Sequence, residues 1–218
     1  MANYLIRVRL PDRPGALGAV ASRIGAVGGD VISIDILQRD HGLVVDDLGV
    51  VLTGSDLVPL LMAEILEVDG VSVEALRHVD GPIPDRDADI LGVATSLMRD
   101  GTPKDVLEHL ADEVIRSLVA TFAVALDPDA PWPAATSGEA PPDDELRDQA
   151  ARYAADDGRD VDTGPDDLAF ARLEHAGLIL VVGRAGLAFR TRERLRITTL
   201  ATLADLRWFE LNQRAAAG

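Results

Sequence analysis

The first stretch of the chain alternates in β fashion. In Tyr4-Leu5-Ile6-Arg7-Val8-Arg9-Leu10 the residues Tyr4, Ile6, Val8 and Leu10 share one face, and both arginines lie on the other. The period then changes. Leu17, Val20, Ile24 and Val27 recur at helical spacing as a single apolar stripe, with Pro14 presetting the first turn and Gly28-Gly29 ending the helix. Val31 to Ile36 returns to alternation, with Ile32, Ile34 and Ile36 on the face expected to be buried and Ser33 and Asp35 opposite. Leu43 to Leu52 is a third extended segment interrupted by Asp46-Asp47. Ser55 is the expected N-cap of a helix from Asp56 to Val68 with Leu57, Leu61, Ile65 and Val68 on its stripe, and Val71 to Leu76 is a fourth strand. Two one-striped helices and four strands with one apolar face predict an open βαββαβ sandwich, with a bare sheet face and an open edge that a second copy would cover.

The strand-to-helix junction carries the candidate chemistry. Backbone N–H groups near Gly15, Ala16 and Leu17 have no partner inside a helix and sit at its positive end, so they suit a carboxylate, and Gly15 lets another molecule approach the main chain. Asp12 and Asp30 could accept from an ammonium. Each also has a plainer use, Asp12 as a helix cap and Asp30 as a turn residue.

Pro11-Asp12-Arg13-Pro14-Gly15-Ala16-Leu17-Gly18 between strand and helix, followed by Gly28-Gly29-Asp30-Val31-Ile32-Ser33-Ile34, resembles the ACT domain, a regulatory module of amino-acid metabolism. The likeness spans about Asn3 to Arg77. It implies a ferredoxin-like sandwich that pairs side by side and binds a free amino acid at the seam. The ligand-binding residues it implies are Asp12, Arg13, Pro14, Gly15, Ala16 and Leu17 from one copy and Asp30, Val31 and Ile32 from its neighbour.

His78 to Asp89, with Gly81, Pro82, Pro84 and four aspartates, has the composition of a linker. The expected organisation is an ACT-like domain over 1–78, a linker over 79–88 and a second α+β domain over 89–218. In the latter, Ile90, Val93, Leu97 and Met98 mark one helix, and Thr102-Pro103 opens another carrying Val106, Leu107, Leu110, Val114, Ile115 and Leu118. Val119 to Leu126 reads as a buried strand. Asp127 to Asp143, with five prolines, reads as a loop, Glu145 to Ala155 as a helix and Asp156 to Asp167 as an acidic connection. Leu168 to His175 and Leu178 to Arg184 form a hairpin around Ala176-Gly177. A helix from Arg190 to Leu211 follows, with Leu195, Thr199, Thr202, Leu206 and Phe209 as its stripe. The run Ala169 to Val182 and the helix after it resemble a shortened GAF domain. In such domains the terminal helices bundle across a dimer, here through Leu203, Leu206 and Phe209.

Charge narrows the partners. The 218 residues carry a formal charge of −16, which repels nucleic acid and anionic lipid, and Lys104 is the single lysine. The arginines at 190, 192, 194 and 196 are expected to form a solvated face paired with acids. There is no cysteine, so thiol nucleophiles, disulfides and thiolate metal sites are excluded. No apolar run reaches membrane-spanning length and no signal-peptide pattern is present, which together predict a cytoplasmic protein. His41, His78, His109 and His175 show no metal-ligand spacing, and His109 is expected to pair with Asp105 along its helix. No phosphate loop, nucleophile elbow or dinucleotide fingerprint occurs. The expectation is a homodimeric, non-catalytic amino-acid sensor without cofactor or metal. Two alternatives stay open: an adaptor that binds no ligand and serves an unknown protein partner, and a small enzyme using the second domain.

Overall fold

The computed structural model describes residues 1–155 and 167–217, so the predicted acidic connection from Asp156 to Asp167 lies outside the described residues except at Asp167. The chain divides into two compact units, Met1–Pro84 and Asp85–Gly218. Part of the stretch read as linker is regular structure: Asp85 caps a helix by accepting from the N–H groups of Asp87 and Ala88.

The first unit runs β1 (Ala2–Pro11), α1 (Ala16–Ala26), β2 (Asp30–Asp40), β3 (Leu43–Leu52), α2 (Val58–Leu66) and β4 (Ser72–Val79). Its antiparallel sheet has the order β2-β3-β1-β4, the ferredoxin-like arrangement that the alternating periods predicted. Both helices pack on one sheet face. Val20 and Ile24 of α1 and Leu61 and Ile65 of α2 are fully buried against Tyr4, Ile6, Val8, Leu48, Val50 and Leu52. Ser55 caps nothing. It opens a 3-10 turn (Ser55–Leu57) without a side-chain cap bond, because Pro59 fixes the first turn of α2.

Two expectations for this sheet are overturned. The second face is not bare: Leu5, Arg7, Leu37, Val45 and Asp47 are buried, and Ile83, in the segment after β4, lies against Gly49. The isoleucine face of β2 is not buried, since Ile32, Ile34 and Ile36 are 52%, 49% and 49% exposed. β2 is an edge strand with register shifts at Val31/Ser33 and Ile36/Gln38, and the helices do not reach out over it.

The second unit runs α3 (Arg86–Leu97), α4 (Pro103–Leu118), β5 (Phe122–Leu126), β6 (Ala135–Gly138), α5 (Asp143–Ala155), β7 (Leu168–Leu173), β8 (Leu178–Gly183) and α6 (Thr191–Ala217). Its antiparallel sheet has the order β6-β5-β8-β7. Helices α3, α4 and α6 cover one face through Leu97, Leu110, Val114, Ile197 and Leu200. Helix α5 covers the other through Leu146 and Ala150 against Phe122, Phe170 and Val181. Thr102 caps α4 by accepting from the Asp105 N–H, as its sequence predicts. Among the described residues no helix is long and apolar enough to cross a membrane.

Three expectations are corrected here. The proline-rich loop contains β6, paired with β5 from Phe122↔Gly138 to Ala125↔Ala135. The stripe predicted for α6 faces away from the core of its own unit: Leu195 is 62%, Leu206 50% and Phe209 39% exposed, while Ile197, Leu200, Ala201 and Ala204 are buried. The arginine cluster is not a solvated face either. Arg194 and Arg196 are buried, Arg194 donating to the carbonyls of Phe189 and Leu168 and Arg196 to Asp87. Arg184, expected at the end of the second hairpin strand, is a buried anchor. It pairs through two bonds with the fully buried Glu193 (2.8 and 2.7 Å), donates to the carbonyls of Leu118, Leu187 and Ala188, and lies over the Phe189 ring.

Candidate functional site

The junction between β1 and α1 is braced from two sides. The Asp12 N–H donates to the Gly42 carbonyl at 2.8 Å, and the Asp12 carboxylate accepts from Arg39 Nε at 2.6 Å, which raises the arginine's pKa. On the other side, a Cβ on Gly70 would come within 2.7 Å of the Pro11 ring, so the α2–β4 turn presses directly on the loop. Arg13 lies 3.9 Å from Asp69 in that same turn. Asp12 therefore does not cap α1, which has no side-chain cap.

Gly15 takes the N-cap position in a left-handed conformation (φ 87°), and a Cβ added there would meet nothing within 4 Å. The Ala16 N–H is used, donating to the Arg13 carbonyl at 3.2 Å, and Ala16 is buried. Among the described residues the Gly15 and Leu17 N–H groups have no acceptor. These two donors, with the likewise unfilled Gly18 N–H, thus remain at the positive end of an 11-residue helix beside open space, with Pro14 and Gly15 exposed.

Asp30, Val31 and Ile32 sit elsewhere in the chain. Asp30 and Asn3 both lie opposite Val51, whereas Asp40 and Pro11 both lie opposite Leu43. The start of β2 and the β1–α1 loop are therefore at opposite ends of the sheet, about 26 Å apart at ~3.3 Å per residue. Asp30 and Ile32 are exposed, and Val31 is half-buried.

Asp46 escaped the sequence reading as a site residue. Alternation correctly puts it and Asp47 on opposite faces, but it lies in the helix-facing row of β3, between Val8 on β1 and Ile36 on β2. It is 2% exposed, its Oδ1 has no hydrogen-bond partner among the described residues, and burial, reinforced by Asp35 and Asp47, pushes its carboxyl up to about 6. The signal was present: a lone acid at an apolar position of an alternating strand.

In the second unit His109 pairs with Asp100 and Glu113 rather than Asp105. Its Nδ1 is 3.0 Å from Asp100, and its Nε2 is 3.4 Å from Glu113 and 3.2 Å from the Ser96 hydroxyl. Ser96, His109 and Asp100 are thus in line, and of the three Ser96 lines a surface cavity of about 430 Å³ together with Asp89, Gly92, Glu113 and Arg116. Ser96 lies in the last turn of α3, whose carbonyl end disfavours a developing oxyanion, and Glu113 competes for the same imidazole nitrogen. The contacts tie the α3–α4 turn to α4. The His175 Nδ1 lies 2.7 Å from the carboxylate of the buried Asp205, which also accepts from the His175 and Ala176 N–H groups. Among the described residues no group of three His, Asp or Glu side chains could hold a metal ion.

No family model matches the chain, and no curated protein matches it. Similar solved structures include the ACT domain of a GTP pyrophosphokinase from Chlorobium tepidum, 18% identical over 36% of this chain and 100% of that one, with a TM-score of 0.30. The GAF domain of a phosphoenolpyruvate-protein phosphotransferase from Acinetobacter is 11% identical over 62% of this chain and 98% of that one, with a TM-score of 0.43. A protein of unknown function from Galdieria sulphuraria is 12% identical over 94% of this chain and 92% of that one, with a TM-score of 0.33.

Proposed function

We propose that this protein is a homodimeric, non-catalytic regulator that binds a free amino acid where the β2 edges of two copies meet. The observation that carries the reading is the pairing of two unfilled N–H donors, on Gly15 and Leu17, with an unpartnered edge strand in the same unit. Strand β2 offers 11 residues without proline and exposes Ile32, Ile34 and Ile36, features that invite pairing with another strand. Two β2 strands joined antiparallel about a two-fold axis set the start of one beside the end of the other. The partner's Asp30, Val31 and Ile32 then come to the sheet end that carries residues 12–17, which one chain alone keeps about 26 Å apart.

A zwitterion suits that composite site. Its carboxylate takes the Gly15 and Leu17 donors and the helix dipole, and its ammonium takes acids at the seam. Charge-assisted hydrogen bonds contribute about 1.5–3 kcal/mol each, which, offset by lost translational freedom, gives a dissociation constant on the order of micromolar to millimolar. The ligand favours the paired state only by its differential affinity for it, and that preference is the regulatory output. Thermal unfolding of the full chain against the twenty amino acids tests this: a specific ligand at 100 times its dissociation constant stabilises by about 2.7 kcal/mol. Unfolding that no amino acid shifts rejects the sensor. The exposed α6 face of Leu195, Leu206 and Phe209 would then favour the adaptor reading.

A further inference from the structure

The helix-facing row of β3 reads Val44, Asp46, Leu48, Val50 and Leu52, and Asp46 is its one charge. No cation shares that face of the sheet. Helices α1 and α2 close over it with Ala16, Val20, Ile24, Leu61 and Ile65, and the one charge of each helix, Arg23 and Glu64, is bonded to the other at 2.8 Å. On β1 the residue beside Asp46 is Val8, while Arg7 and Arg9 lie on the far side, Arg7 bonded to both oxygens of Asp47. On β2 the residue beside it is Ile36, and Asp35, opposite Asp47, is again on the far side. The charges that act on Asp46 are therefore negative, those of Asp35 and Asp47. Its Oδ1 has no hydrogen-bond partner among the described residues, a defect that costs a carboxylate more than a neutral carboxyl.

Solvent is nearest to this acid on the β2 side. Ile36 is 49% exposed on the edge, and neighbouring strands lie about 4.8 Å apart, so water begins about one strand away. A second β2 seated on that edge covers Ile36 and moves the solvent boundary outward. It also brings the partner's Asp30, Asp35 and Asp40 against a single cation, the partner's Arg39, which is itself bonded to Asp12 at 2.6 Å. Both changes raise the cost of a charge on Asp46.

We infer that self-association through β2 is linked to protons: the paired state holds a proton on Asp46 of each copy, so the dimer tightens in acid and loosens as the pH rises. The linkage rests on the β2 seam proposed above. A group that keeps its proton more firmly in the dimer than in the single chain favours the dimer fully below its single-chain pKa, and the gain is lost as pH rises through its value in the dimer. In the single chain the Asp46 carboxyl is already pushed up to about 6, so the loss begins there. With two copies, a further rise of about half a unit in each amounts to about tenfold in the dissociation constant. The proton thereby sets how much of the composite ligand site is assembled.

Sedimentation equilibrium of the full chain from pH 5 to pH 8 at constant ionic strength tests this on the wild type, Asp46→Asn and Asp46→Leu. The wild-type dissociation constant is expected to rise by about tenfold or more across that range, and those of both variants by less than about threefold. The variants subtract every other group that changes charge over the same range. Asp46→Leu restores the apolar row, so it keeps the comparison open if the amide variant fails to fold. A wild-type constant that is flat with pH, or that changes equally in the variants, overturns the proton linkage and leaves the seam standing. A wild type that is monomeric at every pH overturns both.

Discussion

Arg7 and Asp47 face each other across β1 and β3 in a fork of two hydrogen bonds, Nε to Oδ1 at 2.7 Å and Nη2 to Oδ2 at 3.0 Å, with both side chains almost fully buried. Breaking one side of such a pair strands the other charge, at a cost of about 3–5 kcal/mol. Asp47→Ala is therefore expected to lower the urea midpoint steeply, and Arg7→Met with Asp47→Leu to recover most of the loss. A single variant within about 0.5 kcal/mol of wild type would show that the pair is solvated.

Asp46 makes the first unit sensitive to pH in a direction opposite to ordinary paired acids. Its native carboxyl holds a proton up to about pH 6, above the ordinary aspartate value of 3.8, so between those values the native state binds more protons than the unfolded chain. Stability from this group is therefore present below about pH 4 and is lost as pH rises to 6. Asp46→Leu is expected to raise stability at pH 7.5 by about 1–3 kcal/mol and to flatten that part of the profile. Chemical denaturation at pH 4 and 7.5 on both proteins measures it, and equal slopes contradict the assignment.

Ile34 is half exposed on the β2 edge, so Ile34→Glu leaves the core intact and adds charge where two edges would meet. The expected outcome is a wild-type dimer and a monomeric variant with an unchanged far-ultraviolet spectrum, read by sedimentation velocity. A variant that stays dimeric places the interface elsewhere.

Gly15 and Gly28 both hold left-handed backbone, at φ 87° and 75°, with open space where a Cβ would lie. Alanine at either position carries a similar strain of about 1 kcal/mol, but only Gly15 lies on the approach to the free amides. Valine at both positions keeps the strain comparable, and Gly15→Val is expected to abolish amino-acid binding and Gly28→Val to preserve it in calorimetry. Equal losses would mean that strain, not obstruction, is responsible.

What could be read in the chain depended on whether a side chain's neighbours were local. β1 and α1 were legible because Ile6, Val8, Val20 and Ile24 repeat at strand and helix periods and face one core. The loop from Asp12 to Leu17 was legible for the same reason, lying where the period changes. β2 was misread because alternation shows which residues share a face but not whether a helix reaches over an edge, and Ile32, Ile34 and Ile36 lie beyond that cover. On α6 the buried face sets Ile197 and Leu200 among Ala201, Ala204, Glu193 and Arg194, small or charged residues whose burial depends on partners elsewhere in the unit, so the larger Leu195, Leu206 and Phe209 gave the wrong side. β6 has four residues and no apolar pattern, and only its ladder with β5 makes it a strand. Asp46 shows in the sequence as an acid at an apolar position of an alternating strand, but that its Oδ1 lacks a partner is a property of the packed sheet.

Calorimetric titration of a binding amino acid into wild type and into the monomeric Ile34→Glu variant tests the shared site most directly. The account predicts saturable heat in the micromolar to millimolar range for the dimer and none for the monomer, because one chain keeps the two halves of the site at opposite ends of its sheet. Equal affinity in both would contradict it.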